Sequence, residues 1–250
     1  MLESFSQPIL FAHRGASVHA PENTLEAFQL AFEQGADAIE LDAKLSADGE
    51  VVVIHDATVN RTTNGRGRVS SLNLADLRAL DAGSFFSEKY RGAKIPTLNE
   101  VFETVGKRGI VNVELTNYYV LRDDLVERVC ALVKKHALQE HILFSSFLAS
   151  NLKQAARILP QVPRGLLALR GWKGSWARSF GFMFGEYQAL HPGIADVNLP
   201  QVQRVHRLKR RIHVWATNVP EDVTRLKSWG VDGIFSGDPQ TALRALGRGA

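Results

Sequence analysis

Residues 38–45 read Ala-Ile-Glu-Leu-Asp-Ala-Lys-Leu. Side chains alternate across a strand, so Glu40 and Asp42 point to one face while Ile39 and Leu41 point to the other. The apolar pair suits a layer packed under helices. The carboxylate pair suits the mouth of a parallel barrel, where reactive groups project from the C-terminal ends of strands.

The same rhythm extends in both directions. A strand is expected at residues 9–13 and an amphipathic helix at 23–34, with Gly35 placed to stop it. An apolar run at 51–55 lies across Asp48-Gly49, a hairpin-type turn, and extends the strand before it. Residues 57–97 break the pattern; they are rich in Thr, Asn, Gly, Arg and Ser, and a short helix is expected at 73–80. Strands resume at 110–115, 142–146, 164–169, 196–199, 213–217 and 233–236. Helices are expected between and after them, at 123–136, 149–158, 201–209, 221–229 and 239–246. Eight strands alternating with helices in 250 residues is the arithmetic of an α/β (β/α)₈ TIM barrel with an insertion after its second strand. A doubly wound open sheet is the alternative, weakened because no glycine-rich nucleotide motif follows a strand.

Composition removes other classes. With 45% hydrophobic residues the chain can fill a large core, and a single cysteine, Cys130, precludes an internal disulfide framework or a cysteine-held zinc. No apolar run approaches the ~18 residues of a membrane span. The N-terminus lacks the basic start and apolar run of a secretory signal, so a cytoplasmic location is expected. Residues 1–150 carry a net charge of −5 and residues 151–250 a net charge of +9. On charge alone this is uneven surface decoration. No aromatic-interleaved basic tract or other nucleic-acid motif is present.

The strand ends carry the chemistry. His13-Arg14-Gly15 ends the first strand, and Glu114 shares a face with Asn112 in the strand at 110–115. Three carboxylates, Glu40, Asp42 and Glu114, converging on one mouth would repel one another and lose hydration. A bound cation resolves that conflict, and all-oxygen ligation suits Mg²⁺ or Ca²⁺. His13 and His55 beside them form a candidate acid/base pair, and Arg14 offers a planar cation for phosphate. The residues point to metal-assisted acid/base chemistry on an anionic, phosphate-bearing small molecule.

In order along the chain stand Ala12-His13-Arg14-Gly15, Ala20-Pro21-Glu22-Asn23-Thr24, Ile39-Glu40-Leu41-Asp42, His55-Asp56, Arg61-Thr62-Thr63-Asn64-Gly65, Ile95-Pro96-Thr97-Leu98 and Asp238-Pro239. This series resembles the glycerophosphodiester phosphodiesterase family over nearly the whole chain. The resemblance implies one domain over residues 1–250, with an inserted subdomain at about 50–97. It implies hydrolysis of glycerophosphodiesters, such as glycerophosphocholine or glycerophosphoethanolamine, to sn-glycerol 3-phosphate and an alcohol. It assigns acid/base roles to His13 and His55, metal ligation to Glu40, Asp42 and Glu114, and a phosphate contact to Arg14. A lysophospholipase D-type reaction on acylated substrates is the alternative.

One position departs from the pattern. Many members carry Lys two residues after the third carboxylate, where this chain has Thr116. Arg170 or Lys173 is a candidate replacement cation. Phe85, Phe86 and Trp215 are candidates for shaping the leaving-group side. The aromatic stretch at 170–187 is expected to form an amphipathic helix over the barrel, with a partner surface or a lid over lipid-like substrates as the alternatives, and Asn218 to contact substrate or cap a helix.

Overall fold

A computed structural model describes residues 7–118 and 123–248. Nine strands are described: β1 (Ile9–His13), β2 (Ala38–Leu45), β3 (Val51–Val53), β4 (Ile110–Leu115), β5 (Ile142–Ser146), β6 (Arg164–Leu167), β7 (Ala189–His191), β8 (Arg211–Val214) and β9 (Gly233–Ser236). Eight pair in parallel around a ring that closes where β1 meets both β9 and β2. The ninth, β3, folds back antiparallel on the outer end of β2, with Ala43 opposite Val53.

Helices follow the strands: α1 (Leu25–Glu33), α2 (Leu74–Ala79), α3 (Leu98–Val105), α4 (Leu125–Lys135), α5 (Ala149–Ile158), the single turn α6 (Phe182–Phe184), α7 (Leu199–Arg207), α8 (Pro220–Ser228) and α9 (Pro239–Ala245). Their starts are written in the sequence. Thr24 caps α1, and Thr97 with Glu100 forms a reciprocal capping box on α3. Pro occupies the first turn of α7, α8 and α9, where its missing N–H costs nothing.

Strand alternation sorts the core into layers. Ile39 and Leu41 of β2 join Val111, Val113 and the inner faces of the helices in the main hydrophobic cluster. The opposite faces fill the barrel with a smaller cluster that includes Ile9, Phe11, Ile110, Leu143 and Phe235. A third cluster, including Val52, Ile54, Val59, Val69, Leu77 and Ile95, forms beneath the segment between β3 and α3.

Two expectations fail between β6 and α7. The strand expected at residues 196–199 lies earlier, at Ala189–His191. Pro192 and Gly193 follow that short run. Asn198 turns its side chain to the Gln201 amide and starts α7 instead of extending a strand. The three-residue strand ends in a buried histidine, so its apolar signal is weak. The amphipathic helix expected at 170–187 is not continuous. A 3₁₀ turn (Gly171–Gly174), a π turn (Ala177–Gly181) and α6 replace it. Ser179 leaves helical geometry inside the π turn, at φ −128° and ψ −106°. Gly171 adopts a φ of 63°, which side-chain-bearing residues rarely take.

Candidate active site

The ring brings all eight expected site residues to one cavity of about 270 Å³ at the C-terminal ends of the strands. His13, Arg14, Glu40, Asp42, His55, Glu114, Arg170 and Trp215 all line it. The register explains the carboxylates. His13 stands beside Glu40 across the β1–β2 pair, and Asp42 beside Glu114 across the β2–β4 pair. One oxygen from each of Glu40, Asp42 and Glu114 lies within 4.8 Å of the other two.

Burial and mutual repulsion dominate their electrostatics. Desolvation, then the charges of Asp42 and Glu114, raise the Glu40 pKa well above the usual carboxylate range. Desolvation and Asp42 raise Glu114 to about 8. Burial works in the same direction on Asp42, but the charges of Arg14, His55 and Lys44 and a hydrogen bond from Asn23 outweigh it, so its pKa falls. The protein alone does not balance three ionised carboxylates here. An oxygen-binding divalent cation would, and the donor set fits Mg²⁺ or Ca²⁺.

Each ligand candidate is held from behind. The Arg14 backbone amide donates to Glu40 at 2.9 Å, the Asn23 amide group to Asp42 at 2.9 Å, and the Tyr118 hydroxyl to Glu114 at 2.7 Å. Arg14 and Asn23 both adopt a left-handed φ of 58°. Non-glycine residues rarely take that conformation, and it is tolerated where surrounding structure enforces it. Gly15 follows at φ +82°, and a Cβ there would lie 2.7 Å from the Ala27 backbone. The turn after β1 can therefore seat on α1 only with glycine at this position.

A chain of charges links the histidines to this cluster. His55 Nδ1 lies 2.7 Å from Asp56. Arg61 bridges Asp56, at 2.8 and 3.0 Å, to Glu22, at 2.7 and 2.8 Å. Glu22 in turn accepts from Arg14 at 3.0 Å, and Arg14 Nε lies 3.6 Å from Asp42. The hydrogen bonds from Arg61 hold Asp56 far below its usual pKa. That carboxylate fixes Nδ1 of His55 as the donor and leaves Nε2 as the other ring nitrogen. His13 Nε2 lies 3.9 Å from Glu40. Desolvation, then the Arg14 charge, lowers His13 to about 4.

Thr116 has a cation beside it that the sequence reading did not name, while Arg170 lines the active-site cavity itself. Lys44, buried on β2 two residues beyond Asp42, donates to Thr116 Oγ1 at 2.6 Å and to the Thr116 carbonyl at 3.3 Å. Burial lowers its pKa. Lys44 and Thr116 also line a second cavity of about 230 Å³, with Arg68 and Asn117. Arg170 lies with its guanidinium carbon 5.2 Å over the Trp215 ring, and Lys173 is exposed on the 3₁₀ turn beyond it. Trp215 is pinned by its indole N–H, which donates to the His191 carbonyl at 2.9 Å. Phe85 and Phe86 are exposed and pack edge-to-face on each other. Asn218 accepts from the Gly237 amide at 2.8 Å and from the Ser236 hydroxyl at 3.1 Å, tying the loops after β8 and β9.

Two buried imidazoles meet at the cavity floor, His191 lining it and His213 behind. His191 Nε2 and His213 Nδ1 are 3.1 Å apart, and burial lowers His191 to about 3 and His213 well below its usual value. Sequence reading passed over both. His191 falls in the misplaced strand, and His213 reads as an inward side chain of β8. It also passed over the supporting roles of Glu22, Asn23, Asp56, Arg61 and Lys44. Inward alternation on β2 is the signal that reaches Lys44, because Glu40, Asp42 and Lys44 share one face.

Comparison with known proteins agrees with this geometry. Residues 13–241 match the model of the glycerophosphoryl diester phosphodiesterase family. A glycerophosphodiester phosphodiesterase of Caldanaerobacter subterraneus subsp. tengcongensis is 38% identical over 96% of this chain and 98% of its own. An Oleispira antarctica phosphodiesterase, solved with the product sn-glycerol-3-phosphate, superposes with a TM-score of 0.90 at 31% identity, covering 98% of this chain and 99% of that one. A glycerophosphodiester phosphodiesterase structure from Agrobacterium tumefaciens gives a TM-score of 0.81 at 28% identity, covering 94% of this chain and 98% of that one.

Proposed function

The chain belongs to the glycerophosphoryl diester phosphodiesterase family, and from that premise we propose that it hydrolyses glycerophosphodiesters to sn-glycerol 3-phosphate and an alcohol. The observation that carries the reading is the convergence of Glu40, Asp42 and Glu114 in one cavity with His13, His55 and Arg14. Glycerophosphocholine and glycerophosphoethanolamine are the substrates of choice. Residues 1–250 act as one catalytic domain, and the insertion at about 50–97 supplies His55 to the mouth.

Glu40, Asp42 and Glu114 would hold the divalent cation, Mg²⁺ or Ca²⁺. When bound, it supplies Lewis-acid neutralisation of charge on the phosphate. Arg14, anchored through Glu22, presents its guanidinium to the phosphate oxygens. One histidine takes a proton from the nucleophile, either water or the glycerol 2-hydroxyl. The other gives a proton to the leaving alcohol. Asp56 orients the His55 ring through Nδ1. Trp215 and Arg170 form the wall where the alcohol leaves.

The test is release of glycerol 3-phosphate from glycerophosphocholine and glycerophosphoethanolamine. Chelated protein is compared with Mg²⁺- and Ca²⁺-loaded protein, alongside His13→Ala and Glu40→Ala. Turnover that needs metal and is lost in both variants supports the reading. Metal-independent turnover, or full activity in either variant, overturns it. Acylated substrates are the second reading, favoured by the exposed aromatic residues beyond Arg170. Turnover of lysophosphatidylcholine with none of glycerophosphocholine selects that one.

A further inference from the structure

The segment between Arg170 and Tyr187 holds large apolar side chains in water. Trp172 is 82% exposed, Phe184 79%, Phe180 63% and Trp176 59%. Single exposed hydrophobic residues are ordinary, but four aromatic rings in one short segment mark an interaction surface.

The segment is built to present them. Its underside is fastened: Phe182 is buried against Tyr187, with the Arg210 guanidinium 5.0 Å from its ring. Arg178 donates to the carbonyls of Leu169 at 2.7 Å and Gly171 at 2.6 Å, and Arg204 reaches the Arg178 carbonyl at 3.0 Å. Gly181 lets the backbone seat against Trp176, since a Cβ there would meet the indole at 2.5 Å. Phe180 and Phe184 stack with nearly parallel rings, at an interplanar angle of 5° and centroids 6.3 Å apart. The rings therefore form a supported ledge, and the residue that opens the segment, Arg170, lines the active-site cavity.

We propose that this ledge docks the mouth of the barrel onto an anionic lipid surface. Charge identifies the occupant. Residues 170–187 contain Arg170, Lys173 and Arg178, the last paired with Asp196 at 3.5 Å, against one acid of their own, Glu186, within residues 151–250, whose net charge is +9. Lys173 and Arg204 are exposed beside the rings. Tryptophan and phenylalanine with flanking basic residues are the chemistry that enters the headgroup boundary of a bilayer. A second copy of the chain is a poorer fit, because a two-fold contact would bring the same basic face, with Lys173 and Arg204, of both copies together.

The experiment uses the full chain without substrate, so its outcome is independent of the proposed hydrolysis. The protein is sedimented with vesicles of phosphatidylcholine alone and of phosphatidylcholine mixed with phosphatidylglycerol, and tryptophan emission is followed. Each basic residue near an anionic surface contributes about a fivefold gain in binding, so the mixed vesicles bind about tenfold or more tighter, with a blue shift. The double variant Trp172→Ser, Phe184→Ser loses about tenfold or more of that affinity and keeps wild-type turnover of glycerophosphocholine. Lys173→Glu weakens the preference for anionic vesicles. Absence of wild-type binding to either vesicle, or unchanged binding by the double variant, overturns the proposal. So does a dimer in light scattering that the double variant converts to monomer, which assigns the ledge to a second copy.

Discussion

Lys44 places a buried positive charge one alternation step beyond Asp42, with its ammonium on Thr116. Lys44→Met keeps most of the side-chain volume and removes the charge. Without it, Glu40, Asp42 and Glu114 hold a divalent cation more tightly and the site attracts a phosphodiester less. The expected result is a drop of about tenfold in kcat/KM for glycerophosphocholine, or about 1.4 kcal/mol, with the metal titration moving to lower concentration. Weaker metal binding would show that Lys44 acts through packing. The paired imidazoles at the floor give a second prediction. The unfolded chain takes up a proton on His191 near 6.5, the folded chain only near 3. Between those values the unfolded state binds more protons, so stability is intact above about pH 6.5 and falls by about 1.4 kcal/mol for each unit of acidification. His213 adds to the same loss. Urea midpoints at pH 7 and pH 5 will show a smaller difference for His191→Gln than for the parent. Residues at strand ends were legible because alternation and convergence follow from the backbone alone. The links His55–Asp56–Arg61–Glu22–Arg14 were not, because Arg61 meets Glu22 across 39 positions of sequence through side-chain geometry that no local pattern encodes.

Elements depend on single small residues where the site crowds them. Gly165 of β6 faces the His191 ring, and a Cβ there would lie 2.2 Å from Nε2. Gly165→Ala therefore forces β6 or β7 outward and costs about 1–3 kcal/mol by overpacking, read as a lower urea midpoint. At the other side of the barrel, Thr97→Ala removes the capping box that starts α3 and costs about 1 kcal/mol, measured in the same way. Elements with caps and long periodic faces, such as α3 and α4, follow from sequence. The run between β6 and α7 does not. Its strand is three residues long, its helical stretch is cut by four glycines at 171, 174, 181 and 185, and its apolar residues face water. Hydrophobic periodicity assumes that apolar side chains seek the core, and this ledge inverts that assumption.

The barrel as a whole is fastened at the rim opposite its mouth. Arg248 donates to Asp37 at 2.6 and 2.9 Å and to the Pro8 carbonyl at 3.2 Å, while Asp37 also accepts from the Leu10 amide at 2.8 Å. Arg248→Ala leaves that carboxylate with one partner fewer and costs about 1–3 kcal/mol, seen as a lower Tm. The eightfold count was readable because each parallel pairing requires a long crossover connection, and the capped, periodic helices mark most of them. Ring closure carries a consequence in time. Ile9 pairs with Gly233, so from the moment β1 emerges until the last strand arrives, one edge of a growing sheet lies open. Contacts that span nearly the whole chain form late and slowly. A ribosome-bound or refolding chain therefore passes through a state whose unpaired β1 edge can recruit a neighbour. Crowded refolding will lose yield to aggregation before β9 docks, and dilution will recover it.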